Sequence, residues 1–329
     1  MSPHGAAARG EARIERLRSL RIILAVVAAL ALPVGLAACG GNGGGTTGST
    51  RVAAALPGRG KPPVTLGTNN FTEQLVLGQL YQQALQAKGF TVALKQDIGS
   101  TQIADKSLRS RQIDLYPAYI GTFDTAVAGD ATAYPSASAA FAAGRAYADR
   151  HGFRLLSMTP FTDNDALVVL PDYARAHKLT SVADLASVGR LRLGAPPEFR
   201  GRQAGLAGLA HVYGIRDVDF APLTIGLQYQ ALDDNQIDAA DVLTTDGQLQ
   251  SGRYVLLKDP QHVFGFQNVT PVVSGAVLRT EGPAFAATLN AVSRALTTGA
   301  MQQLNAAVAL DGKSPAGVAQ KFLQANGLA

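Results

Sequence analysis

The sequence predicts an α/β protein built as two similar lobes, each with a mostly parallel sheet flanked by helices. Three observations predict it. Short apolar runs alternate with amphipathic stretches at the spacing of βαβ units. The same order of strand and helix returns in the second half of the chain. The halves also share short wording: Ile98 and Gly99 precede Gln112, Ile113 and Asp114, and Ile225 and Gly226 precede Gln236, Ile237 and Asp238. Chance in an Ala-rich chain and a common lobe design both account for that echo.

The elements follow in order. Val64 to Gly67 reads as a buried strand, and Thr72 opens a helix with apolar positions at Leu75, Leu77, Leu80, Ala84 and Leu85, stopped by Gly89. Thr91 to Leu94 is a second strand, Thr101 to Arg109 a second helix, and Ile113 to Leu115 a third short strand. The second series holds the apolar run Ala166 to Leu170, a strand at Leu191 to Gly194, helices at Gly201 to Tyr213 and Leu227 to Leu232, and a strand at Ile237 to Ala240. Helices over Ala284 to Leu304 and Ala316 to Asn326 are expected to pack back on the first lobe. Pro160 to Asp165 and Gln267 to Thr270 suit the crossings, because a few loop residues can absorb a domain closure. Residues 63–164 with 269–329 then form one lobe and 165–268 the other. Ligands of open α/β sheets sit outside the carboxyl ends of the strands, so the two lobes are expected to face those ends across a cleft.

Composition narrows the function. A chain of 329 residues that is 47% hydrophobic has ample core for two lobes. Five of its 29 Lys and Arg fall in the first 38 residues with two of its 24 Asp and Glu, which leaves 24 basic against 22 acidic residues. No basic patch remains to bind nucleic acid. The single Cys excludes an internal disulfide, a Cys-based zinc site and an iron–sulfur cluster, and the five His never fall at metal-ligand spacing. No metal or cofactor is expected.

Residues 1–21 are basic, and Ile22 to Ala38 run without a charge, broken by Pro33 and Gly35. That is the pattern of an export signal over residues 1–38 rather than a membrane span. Leu36 to Cys39 (LAAC) resembles a bacterial lipoprotein box. The resemblance implies cleavage before Cys39 and diacylglycerol on its thiol, each buried CH₂ contributing about 0.8 kcal/mol to anchoring. A small residue in an uncleaved helix is the plain alternative for Cys39. Residues 39–62 then form the anchor and a flexible Gly/Ser/Thr tether. The expected location is extracytoplasmic and lipid-anchored to the cell membrane.

Four runs carry a further resemblance: Gly67 to Gln74 (GTNNFTEQ), Asp114 to Thr122 (DLYPAYIGT), Glu198 to Leu206 (EFRGRQAGL), and Gly226 to Leu232 (GLQYQAL) followed by Thr244 to Gly247 (TTDG). In these the chain, from about Val64 to its end, is similar to the osmoprotectant-binding proteins of ABC importers, which take glycine betaine, carnitine or choline. The resemblance implies the type II periplasmic-binding-protein fold, two α/β lobes around a ligand cleft. It also implies a permease and its ATPase as partners, and a monomer.

In that family a quaternary ammonium sits in a box of aromatic rings, since a cation without N–H donors is held by π-faces and apolar contact. Its carboxylate meets basic and hydroxyl groups. Tyr119 matches a box tyrosine, Thr122 the hydroxyl, and Arg202 the carboxylate-binding arginine, which can offer a bidentate fork. Other positions depart from the pattern. Asn69, beside Asn70, stands where many relatives carry Lys. Asp165 and Leu243, which precedes Thr244, stand at box tyrosines, and Gln267 or Asn268 replaces the last ring. Asp165 can pair a cation, and Asn69, Gln267 and Asn268 can hydrogen-bond a polyol or another polar ligand. Asp163 and Asp165 read otherwise as a solvated hinge turn. One of four rings is then left.

Enzyme readings find little support. Glu73 fits the first turn of a helix, where negative charge favours the dipole, and gives Asp114 no general-acid partner. No Gly-x-Ser-x-Gly elbow occurs. Tyr213 and Tyr229 read as packing residues. Two classes stand: a solute-binding lipoprotein that closes its lobes on a small ligand and delivers it to a permease, and a sensory or scaffold lipoprotein with a different ligand.

Overall fold

The computed structural model describes residues 55–329. The expected export signal, Cys39 and the tether up to residue 54 lie outside the described residues. From the first strand the chain forms β1 (Val64–Gly67), α1 (Thr72–Ala87), β2 (Val92–Lys95), α2 (Thr101–Arg109), β3 (Leu115–Tyr119), α3 (Ile120–Ala126), α4 (Ala137–Arg150) and β4 (Phe153–Leu155). After a first crossing come β5 (Asp165–Val169), α5 (Pro171–His177), β6 (Leu191–Ala195), α6 (Leu206–Val212), β7 (Val218–Pro222), α7 (Leu227–Asp233), β8 (Ala239–Leu243) and β9 (Val255–Leu256). The chain returns through β10 (Val269–Ser274) and ends in α8 (Gly275–Glu281), α9 (Pro283–Ala295), α10 (Thr298–Ala309) and α11 (Pro315–Ala325).

Local chemistry marks many of these starts. Ser136, Thr297 and Ser314 accept from the backbone N–H of Ala139, Ala300 and Gly317, each at 3.2 Å, and so cap α4, α10 and α11. Proline opens α5, α9 and α11, where its missing N–H is not needed.

The two sheets have the same plan. Their strand orders are β2-β1-β3-β10-β4 and β7-β6-β8-β5-β9. β1 runs parallel to β2 and β3, and β6 parallel to β7 and β8. The fourth strand of each sheet is antiparallel to both neighbours. Four of the five strands in each sheet therefore share one direction, as the mostly parallel expectation has it, and one runs against them, so the sheets are mixed. The reason is the crossing: β5 and β10 each arrive from the other lobe at the end where the parallel strands finish, and run away from it. Each sheet is covered on both faces. Leu115 and Tyr119 of β3 point into the cluster under α1, α9, α10 and α11, while Tyr116 and Ala118 point to α2, α3 and α4. Leu167 and Val169 of β5 face α5 and α6, and Ala166 and Val168 face α7.

The verbal echo is structural. Asp114 donates its N–H to Thr65 O at 2.8 Å and accepts from Thr65 N at 2.7 Å on Oδ2. Asp238 does the same with Arg192, at 2.8 and 2.9 Å. Ile113 lies against Gly67 and Ile237 against Gly194, and Gly99 and Gly226 both have φ of +99°. Gln-Ile-Asp is thus a strand-capping lead-in. This explains why the third strand starts at Leu115 rather than Ile113, and the eighth at Ala239 rather than Ile237.

Other boundaries moved for identifiable reasons. β3 runs through Pro117, which sits opposite Pro271 in the β10 register, where neither residue owes a ladder N–H. The helix expected over Gly201 to Tyr213 is confined to α6. Residues 201–205 fold back so tightly that a Cβ on Gly205 would lie 2.2 Å from Phe199 O. The long helix expected to Leu304 is two, because Thr297 caps a new start.

Candidate ligand-binding cleft

The carboxyl ends of β1, β3, β6 and β8 and the entering ends of β5 and β10 hold nearly all the residues singled out above. The two crossings pair with each other, with a bridge between Thr162 and Asn268. Asn268 donates its amide to Thr159 O and Phe161 O at 3.0 and 2.9 Å, and Thr244 Oγ1 donates to Thr162 O at 2.6 Å. Asn164, which the sequence reading passed over, donates to Phe264 O at 3.0 Å and to Gly265 O, and accepts from Gln267 N at 3.0 Å. These side chains tie the crossings together. Gln267 reaches the first lobe, where its Oε1 accepts from Thr122 N and Thr122 Oγ1 at 3.1 and 3.3 Å. Asn69 is committed locally: its amide donates to Gly99 O at 2.8 Å, and its backbone N–H to Gln74 Oε1. Asn70 is exposed beside it.

Between the lobes lies a cavity of about 200 Å³. Phe71, Glu73 and Asn305 line it from the first lobe, and Leu243, Thr245 and Tyr229 from the second. Drug-sized pockets run to roughly 300–1,000 Å³, so this one suits a small solute. Phe71 is an aromatic ring that the sequence reading missed. It is 40% exposed at the mouth of the cavity, and its ring centroid is 5.8 Å from that of buried Tyr119. The signal was present in an aromatic set among polar residues just ahead of a helix. Tyr229, expected to pack, lines the same cavity while its hydroxyl donates to Asp246 at 2.9 Å.

Beneath the rings sits a buried acidic network. Glu73 stands in the first turn of α1, as expected, but is buried there. It is 3% exposed and accepts from Tyr119 OH at 2.8 Å and Asn305 Nδ2 at 2.9 Å. Burial raises its pKa, and hydrogen bonds from Thr245, Asn305 and Tyr119 oppose the rise. Asp163 accepts from Thr245 Oγ1 at 2.6 Å and is held well above the usual carboxylate range by burial and then by the nearby Glu73. It is therefore no solvated turn residue. Asn305 also donates to Thr245 O at 3.0 Å, and Gln302 to Thr244 O at 2.8 Å, so α10 braces the second lobe from the first.

On the second lobe Arg202 Nη1 lies 3.5 Å from Asp165 Oδ2. Burial raises the pKa of Asp165, and the Arg202 charge pulls it back. Asp241 is 3% exposed and pushed up to about 9 by burial, then by Asp165. Arg202 thus stands among carboxylates, with one face of its guanidinium over the Phe199 ring at 5.8 Å.

Known proteins resemble this chain in sequence and fold. A profile for the substrate-binding domain of ABC-type glycine betaine transport systems matches residues 62–325. A glycine-betaine-binding protein of Pseudomonas aeruginosa is 32% identical over 271 residues, covering 79% of this chain and 86% of the relative. The glycine betaine-binding protein YehZ of Escherichia coli is 29% identical over 290 residues, covering 84% of this chain and 94% of its own length. A solved glycine betaine/carnitine/choline ABC transporter structure superposes with a TM-score of 0.75 at 25% identity, over 82% of this chain and 99% of the other. The two-lobed type II architecture is common to them. The chain belongs to the family of substrate-binding domains of ABC-type glycine betaine transport systems.

Proposed function

We propose that this protein is an extracytoplasmic receptor, anchored through Cys39, which binds a small osmoprotectant such as glycine betaine and presents it to a membrane permease and its ATPase. The observation that carries the ligand is exposed Phe71 at the mouth of an acid-floored cavity, with Tyr229 lining it from the second lobe and buried Tyr119 packed behind Phe71. Exposed aromatic surface over buried carboxylates suits a cation that has no N–H to donate. Arg202 and Thr122, from opposite lobes, are the groups proposed for the ligand carboxylate, with Gln267 hydrogen-bonded to Thr122. Asn69, Asn70, Asp163, Leu243, Thr244 and Asn268 shape the cleft and its hinge. Ligand contacts from both lobes would stabilise the closed state relative to the open one. The role involves no chemical turnover, and the protein acts as a monomer.

A second reading has its own observation. Leu243 is apolar at a position for which the family resemblance implies a ring, and Asp165 already occupies Arg202, an arrangement that suits a polyol or another polar solute for transport or sensing. Isothermal titration with glycine betaine, choline, carnitine and a neutral polyol separates the two. Glycine betaine heat that disappears in Arg202→Ala, with an unchanged melting temperature, supports the first. Heat from the polyol alone would sink it.

A further inference from the structure

Arg202 is already occupied. Its guanidinium is 3.5 Å from Asp165, and the two side chains are 42% and 18% exposed. Asp165 pairs with Leu243 across the β5–β8 ladder, and Asp241 with Leu167, so the two carboxylates lie diagonally on one sheet face. Asp241 Oδ1 is buried without a hydrogen-bond partner among the described residues. Glu198, four residues before Arg202, adds its negative charge to that of Asp165. A solute carboxylate that approaches Arg202 must displace Asp165 or share the guanidinium with it, against repulsion from its neighbours. A solute with the same quaternary head and a hydroxyl in place of the carboxylate makes no such demand.

We propose that Asp165 is a specificity-determining residue of the cleft: as a built-in carboxylate on Arg202 it handicaps zwitterionic solutes relative to cationic ones that lack a carboxylate. The proposal rests on the quaternary-ammonium reading of the site above. It explains how one substitution at a ring position alters selection without adding a contact to the ligand. Asp165 acts through Arg202, by competing with a ligand's anionic end for the guanidinium.

The test is the ratio of affinities for glycine betaine and choline, measured by isothermal titration. Asp165→Asn keeps the size of the side chain, removes its charge and replaces one acceptor oxygen by an NH₂ donor. It is expected to tighten glycine betaine roughly 3- to 10-fold, the scale of a partly exposed ion pair plus the repulsion it relieves. Choline should tighten less or weaken, so the ratio shifts toward the zwitterion. Asp165→Glu, which restores a carboxylate, should keep the wild-type ratio. Glycine betaine that weakens in Asp165→Asn, or two affinities that move together, would overturn the proposal while leaving the receptor reading intact. Wild-type protein that binds neither solute would remove both.

Discussion

Replacing Asp124 by asparagine should stabilise the protein increasingly as the pH rises from 4 to 8. Asp124 is on α3, is 3% exposed, and has no hydrogen-bond partner for either carboxylate oxygen among the described residues. Its Oδ1 lies against α4, where a Cβ on Gly144 would sit 2.5 Å away. Burial, and secondarily Asp130, raise its pKa from 3.8 to about 7. Between those two values the folded protein holds a proton that the unfolded chain has released, so stability is lost as pH rises through the window. At about 1.36 kcal/mol per pH unit the full penalty above pH 7 is about 4 kcal/mol. Asp124 also borders a cavity of about 600 Å³, and water there screens the charge and brings the penalty down toward about 2 kcal/mol. Asparagine buries an unpaired amide at every pH and contributes only a constant offset. Urea unfolding of both proteins at pH 4, 6 and 8 should therefore show a stability difference that grows by about 2–4 kcal/mol in favour of the variant. Groups that titrate alike in both proteins cancel. A difference that stays flat across this range would refute the reasoning.

Other expectations follow from the cleft. Phe71→Ala should weaken quaternary-ammonium binding by about 0.5–2 kcal/mol, the value of one ring to a desolvated cation, without lowering the melting temperature because Phe71 is exposed. Titration of choline and glycine betaine with the variant checks both parts, and equal affinities would remove Phe71 from the site. Asn305→Ala removes the donor shared by Glu73 and Thr245 O, and should cost about 1–3 kcal/mol in denaturant unfolding. A neutral result would mean that α10 braces the lobes through apolar packing alone.

The two-lobed plan was legible because each layer repeats a local rule. Apolar runs of four or five residues between caps and glycines read as buried strands, and the Gln-Ile-Asp echo marked equivalent corners of the two sheets. Strand direction was not legible at β5 and β10. Their apolar patterns are the same whether they run up or down, and only the crossing geometry makes them antiparallel. Pro117 argued against a strand on its own residue type, yet its partner 154 positions later is also a proline, and that pairing exists only in the folded register.

For the site, sequence alone identified Tyr119, Thr122, Asp165, Arg202 and Gln267 as residues of interest, since residue type and motif position are local properties. Tertiary structure decided what surrounds each one. Glu73 looked like a helix-dipole residue until burial by α10 and the Tyr119 hydroxyl made it the floor of a cavity. Asn268 and Asn164 looked equally polar, and both turned out to hold the crossings together. Arg202 matches a carboxylate-binding arginine in the sequence, and its carboxylate partner in the fold is Asp165, 37 positions away on β5. A side chain's chemistry is written in its residue type. Its charge, exposure and available lone pairs depend on neighbours distant in sequence, and the fold alone supplies those.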